Sequence, residues 1–539
     1  MGEVKFDAKI SVVVSSRVTS HKQWRKFPLE SSGACNRQLS TAIREFRAPE
    51  YRSGQELSQR AFSNSHASSL QPVPDFPNVG AGFAGEASGD ENAKRVVFLT
   101  AGAAGMYCGS CMHDNALARE LRIQGVDCLL QPVYTPIRTD ALSVADSRVF
   151  FGGIHIYLLQ RIPWLKHVPA SIRRTLDWSP LIRLATRRTH ATDANQLGQL
   201  AISMLRGAEG RQAQEVARLT DWLAEQVQPH ALVLSNLLIG GALPSIRKRL
   251  PNTRLVVVLQ GDDIFLDHLP SQARAEAIRL CQNLVPSVDR FVVNSQFYAA
   301  KMGQLLNIPS EQFEIAPLSI DVTPFAMTND SASQDGTTAK HSSSSLFDRA
   351  ESDDSFRLGY MARIAPEKGF HHLVDSFIRL ASKADHADLT LHASGWLGKS
   401  NQAYFQDQQH KLETAGLTDR FTYHGSPDLT QKVSFLKSLD LFSVPTDYHD
   451  PKGLFVLEAL AAGVPVIQPD HGAFGELLGS TGGGLLIKPG CLEGLCAAIE
   501  ELKQDEQRRL LLGVSGQQQV MERHAMEQAV TQLKTILFN

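Results

Sequence analysis

The 539-residue chain contains no long apolar run: none reaches the ~18 residues that a membrane-spanning helix needs, so no transmembrane helix is expected. It also lacks a dominant charge. The formal net charge is −2, with 54 Lys and Arg against 56 Asp and Glu, which leaves no basic field for nucleic acid. Cysteine is sparse: seven, an odd number scattered over a large chain, which excludes a secreted disulfide scaffold and fits a reducing cytosol. Residues 1–92 have no apolar h-region with a small-residue cleavage site; they are Ser-, Gly- and Pro-rich with weak periodicity, so a disordered extension is expected. A polar, Ser-rich stretch over 323–355 reads as a linker for the same reason: it has too few apolar groups to offset the entropy of ordering.

Between and beyond those stretches the pattern changes. RVVFLT (95–100), a Gly-rich loop, a helical HDNALARELRIQG (113–125) and VDCLLQPV form a strand–loop–helix–strand unit. Short buried runs then alternate with helical segments: ALVLS (231–235), RLVVVLQ (254–260), RFVVN (290–294) and FEIAPLS (313–319). After the linker come FRLGYM (356–361), DLTLHAS (388–394), RFTYHG (420–425), LDLFSVP (439–445), VPVIQP (464–469) and GLLIK (484–488). Continuous apolar strands separated by helices signal parallel sheets covered on both faces. The expected fold class is α/β, with two Rossmann-like doubly wound domains, 93–322 and 356–505, facing a central cleft, and C-terminal helices over 506–539.

Candidate site residues gather at strand ends. In GYMARIAPEKGF (359–370), Arg363 and Lys368 follow a strand and precede a helix, which makes an anion site, or else a solvated loop with ordinary charges. In DPKGLFVLEALAAGVPVI (450–467), Asp450 sits in a Pro-Lys-Gly loop and Glu458 inside an apolar helix. The N–H groups of Gly453, Leu454 and Phe455 open that helix toward phosphate. The plainer reading is a helix cap and an exposed helix acid. In AGAAGMYCGSCMHD (101–114), Gly102 and Gly105 allow close backbone approach to a ligand. The Cys108-x-x-Cys111 pair within it reads as small residues fitting a crowded loop, as a redox pair, or as half of a metal site whose second half is missing. Gln260 and Asp262, in LVVVLQGDDIFLDHL (255–269), face an acceptor or cap a loop. QRIPWLKHVPASIRRTLDWSPLIRLATRR (160–188) interleaves Trp164 and Trp178 with basic residues; it lines the cleft as a helical insertion or docks peripherally on anionic lipid at the inner membrane face.

Several of these motifs, in this order, resemble the family 4 retaining glycosyltransferases with the GT-B fold. The Arg…Lys-Gly phosphate clamp of that family is matched by Arg363 and Lys368-Gly369, its E-x7-E element by Asp450 through Glu458, and its terminal helix start by Gly472 to Glu476 in HGAFGELL. FVVNSQFYAAKMGQLLNIPSEQFEIAPLSID resembles the last strand–helix–strand of the family's first domain. The resemblance implies a hexosyltransferase that moves a sugar from a nucleotide diphosphate sugar onto a carbohydrate, lipid-linked or small-molecule acceptor hydroxyl, with retention. Arg363 and Lys368 would stabilise the leaving diphosphate in place of a metal, so no metal cofactor is expected. It implies Asp450 at the reacting sugar and Glu458 on the ribose, with Asp450 one methylene shorter than the family's Glu. Two alternatives stay open: a nucleotide-sugar 2-epimerase of the same fold, and a non-catalytic nucleotide-sugar binding protein.

Overall fold

The computed structural model describes residues 94–102, 109–134, 137, 139, 142–146, 194–326 and 354–539. The expected extension, almost all of the linker, the basic segment 160–188, Gly105 and Cys108 lie outside these residues.

The first sheet is built from six parallel strands. They are β1 (Arg95–Thr100), β2 (Asp127–Pro132), β3 (Ala231–Leu234), β4 (Arg254–Val258), β5 (Arg290–Val293) and β6 (Phe313–Ile315), in the order β2-β1-β3-β4-β5-β6. Alternation of side chains along each strand supplies two apolar faces. Val97, Leu99, Leu232, Leu234, Leu255 and Val257 pack on one side with Leu219, Ala277 and Leu284. Val96, Phe98, Ala231, Val233, Val256 and Val258 pack on the other against Leu117 and Leu121, and against Val530, Leu533 and Ile536 near the C-terminus. Each fully buried Val or Leu contributes roughly 1.5–3 kcal/mol. The terminal helix Met526–Phe538 thus returns to the first sheet, while the helix Glu506–Arg523 stays on the second through Val520.

The second sheet contains β7 (Phe356–Met361), β8 (Leu389–Ser394), β9 (Phe421–Tyr423), β10 (Leu441–Phe442), β11 (Val466–Pro469) and β12 (Gly484–Ile487), in the order β12-β11-β10-β7-β8-β9. Strand order reverses direction between β1 and β3 in the first sheet and between β7 and β10 in the second. Such switch points open crevices at the carboxyl ends of strands, where ligands bind in doubly wound folds.

Most strands are a residue or more shorter than expected, β9 among them, which spans Phe421–Tyr423 and not 420–425, and three other differences bear on the site. The first helix runs Gly109–Ile123, four residues before the predicted start, because the GSC stretch completes its first turn instead of remaining loop. The segment 313–319 is strand only to Ile315. β10 is two residues long: Pro445 has no N–H for a ladder, and the chain leaves the sheet for the cleft. No helix among the described residues is long and apolar enough to cross a membrane.

Candidate active site

A cavity of about 450 Å³ lies where the two switch points face each other. Ser110 and Gln260 line it from the first sheet; Arg363, Lys368, Lys432, Asp450, Lys452 and Glu458 line it from the second. Glycine shapes two of the approaches. Gly369, at φ +70°, stands where a Cβ would lie 1.7 Å from the Pro445 carbonyl oxygen, so only glycine lets the loop after Lys368 meet the exit of β10. Gly472, at φ +61°, would put a Cβ 2.5 Å from the Asp450 carbonyl oxygen. The neighbouring Ala473 N–H donates to that same oxygen at 2.9 Å. The HGAFGELL turn therefore holds the backbone of Asp450.

Asp450 is 5 % exposed and its carboxylate has four protein partners. Oδ1 accepts the N–H groups of Lys452 and Gly453, each at 3.0 Å. Oδ2 accepts Lys368 Nζ at 3.0 Å and the Tyr448 hydroxyl at 2.7 Å. Burial alone would raise its pKa, but the Lys368 charge, the Tyr448 hydroxyl and the Lys452 N–H outweigh it and hold the carboxyl down to about 2. Four donors fill the acceptor capacity of a carboxylate. Asp450 lines the cavity, but its carboxylate is spent on the protein itself. The Gly453 N–H, expected to be open to phosphate, is likewise turned to Asp450; Leu454 and Phe455 follow it in the first turn of the helix Leu454–Ala461.

Lys368, partly buried, is further held by the Tyr448 hydroxyl and lies 5.2 Å from the centre of the Phe455 ring. Arg363 is more open, with 47 % of its side chain exposed, and pairs with Glu367 one turn along at 2.5 Å. Glu458 projects into the cavity and pairs with Lys432 at 2.9 Å. Gly102 sits half-buried at the end of β1.

Two acceptor-side expectations separate. Gln260 lines the cavity: its Nε2 donates to the Ser235 carbonyl at 2.8 Å and to Asp114 at 3.3 Å. Asp262 does not reach the cavity. It is buried, its oxygens accept the N–H of Leu237 at 2.7 Å and of Gln260 at 3.2 Å, and it ties together the chain after β3 and after β4. The expected acceptor role of Asp262 is therefore corrected to a structural one. Burial pushes its pKa up to about 6 against the two N–H groups. Cys111 is buried too, within 3.8 Å of the Thr100 hydroxyl in the first turn of the helix.

Sequence reasoning passed over Lys452. Its Nζ crosses from the second sheet to the first, donating to Ser110 Oγ at 2.9 Å and to Gln260 Oε1 at 3.0 Å. Burial, then the Lys452 charge, lowers the pKa of the buried His113 to about 3. Glu476 also crosses over: its carboxylate accepts the N–H groups of Gln296 and Phe297, at 2.8 and 2.7 Å, at the start of the helix Gln296–Leu306. A cation inside the Pro-Lys-Gly loop was the available signal for Lys452. Glu476 gave none for its partner, 180 residues away.

Residues 344–519 match the family described as glycosyl transferases group 1. Lipopolysaccharide core biosynthesis mannosyltransferase LpsB of Rhizobium meliloti is 30% identical over 191 residues, covering 34% of this chain and 53% of the relative. The chain spans about half the length of the curated relatives it matches. Among solved structures, HepE of Anabaena in complex with UDP aligns with a TM-score of 0.56 at 18% identity, covering 82% of this chain and 99% of that one. Sucrose-phosphate synthase of Thermosynechococcus elongatus aligns with a TM-score of 0.59 at 17% identity, covering 82% and 98%.

Proposed function

We propose, from the premise that residues 344–519 match glycosyl transferases group 1 and that the chain has the two-sheet GT-B fold, that the protein is a retaining glycosyltransferase using a nucleotide diphosphate sugar. One observation carries the reading: Arg363, Lys368, Glu458 and the start of the helix Leu454–Ala461 converge on one cavity between the facing switch points. The sugar–oxygen bond to the diphosphate breaks while a bond to an acceptor hydroxyl forms, and negative charge grows on the departing phosphate. Arg363 and Lys368 meet that charge, where preorganised cations contribute most. Glu458, steadied by Lys432, takes the ribose hydroxyls. Asp450 acts as a positioning residue: it fixes Lys368 and Tyr448 and shapes the Lys452–Gly453 turn. Gln260 and Ser110 stand on the acceptor side, and cleft closure keeps water from the activated sugar. The phosphate clamp makes transfer independent of a catalytic metal.

A second reading, a nucleotide-sugar binding protein without transfer activity, is favoured by the full engagement of the Asp450 carboxylate. A panel of UDP-, GDP- and ADP-sugars separates the two. Nucleotide release that survives chelation and falls at least ~100-fold in Arg363→Ala, the effect of losing one transition-state donor, is the expected result. Nucleotide binding without release from any sugar donor would establish the second reading, and absence of nucleotide binding would overturn both.

A further inference from the structure

Outside the cavity, three metal-ligating side chains converge between the start of one helix and the loop leaving β10. His371 and His372 stand in the first turn of the helix Phe370–Ala381, and Asp447 lies three residues before Asp450. Neighbouring helix positions ordinarily diverge by ~100°, yet the two imidazoles lie with ring centres 4.0 Å apart. Both turn Nε2 toward the same carboxylate: His372 Nε2 is 2.6 Å from Asp447 Oδ1, and His371 Nε2 is 3.7 Å from Asp447 Oδ2. One ligand atom from each residue lies within 4.8 Å of the others. Tetrahedral ligands with bonds of ~2.1 Å stand ~3.4 Å apart, a separation that the two contacts bracket.

His371 is held from behind. Its Nδ1 lies 2.9 Å from the Tyr404 hydroxyl, which also accepts the His371 backbone N–H at 3.0 Å. A hydroxyl that takes the Nδ1 proton leaves the Nε2 lone pair facing Asp447, which is how outer partners orient metal-bound histidines. The set of two imidazoles and one carboxylate is chemically selective. Magnesium and calcium prefer all-oxygen sites, whereas zinc, cobalt and nickel favour imidazole.

We propose that His371, His372 and Asp447 form a binding site for a zinc-class divalent cation, with the remaining coordination positions open to water. The site is a staple and takes no part in sugar transfer. None of its residues lines the cavity. It joins the helix that follows Lys368-Gly369 to the loop bearing Tyr448 and Asp450, two segments already linked by the Asp447 N–H donating to the Glu367 carbonyl at 3.1 Å.

The experiment is calorimetric titration of the chelator-treated, desalted full chain with zinc chloride, beside His372→Ala, Asp447→Asn and Tyr404→Phe. Wild type is expected to bind zinc in a step that is lost, or weakened by at least ~10-fold, in the first two variants, with Tyr404→Phe weakened ~10-fold as an outer partner. Cobalt substituted for zinc should give intense tetrahedral visible bands in wild type and not in His372→Ala. Zinc should raise the melting temperature most in wild type, less in Tyr404→Phe and least in His372→Ala and Asp447→Asn, and equal melting of all four chelated proteins shows that the variants fold. Absence of zinc binding by wild type overturns the site, as does a zinc step unchanged in His372→Ala and Asp447→Asn. Since the readout is metal binding, either result is independent of whether the protein transfers sugar.

Discussion

At the scale of single residues, the candidate site depends on how Asp450 spends its carboxylate. The pair it makes with Lys368 is buried, so removing the charge strands a lysine among Tyr448 and Phe455. Asp450→Asn is expected to destabilise the fold by about 3 kcal/mol at neutral pH. The pH dependence follows from the depressed pKa. Folding favours the ionised form, so the stabilisation is complete above the unfolded value near 4 and is lost as pH falls through about 2. About two pH units of depression correspond to roughly 2.5 kcal/mol. Urea unfolding at pH 7, 5 and 3 should give a gap between wild type and Asp450→Asn that is constant at the first two values and smaller at the third. A gap that does not shrink would remove the charge pair as its source. Asp262 behaves oppositely. Its raised pKa means that ionisation costs stability, so its contribution is fully present below about 4 and is lost as pH rises through about 6.

Among elements, the legibility of the sequence has a physical pattern. The strands from 231 to 258, each near-continuously apolar, were readable because a buried parallel strand leaves that mark. The short β10 was overextended because apolarity persists through Val444, which is buried but outside the ladder. Arg363, Lys368 and Glu458 were visible because chemistry and local spacing coincide. The bonds of Lys452 and Glu476 were not, since they form only when segments distant in the chain approach. Glu476 caps the helix Gln296–Leu306 from the other sheet, beside Ser295, whose Oγ accepts the Tyr298 N–H at 3.2 Å. The element therefore has an internal cap and a borrowed one. Glu476→Ala is expected to cost about 1 kcal/mol, the usual worth of a cap, and to speed hydrogen exchange at Gln296 and Phe297 about fivefold. Exchange unchanged at both amides would mean that water replaces the carboxylate without loss.

For the whole molecule, both borrowed contacts hold the two sheets in one arrangement. Lys452 reaches Ser110 and Gln260, and Leu454 sets a methyl 3.2 Å from where a Cβ on Gly109 would stand. Through Gln260, the lysine is joined to Asp114 and then, at 3.0 Å, to Thr100 at the end of β1. The switch points are thus linked by a polar chain rather than by apolar packing alone, and a polar link with donors at one end is one that can open. Lys452→Met keeps the stem and removes the donors. On the proposed reading nucleotide affinity rests on Arg363, Lys368 and Glu458, all on the second sheet, so it should change less than ~3-fold, the size of a surface-level perturbation. On the same reading transfer requires both sheets, so kcat/KM should fall ~10- to 100-fold, with kcat and KM moving together as gating predicts. Hydrolysis of the sugar donor should rise relative to transfer, because a cleft that does not close admits water. Calorimetry with UDP, GDP or ADP, set beside product ratios under turnover, reads the two effects separately. If nucleotide affinity fell as far as kcat/KM, Lys452 would belong to the nucleotide site itself and not to closure.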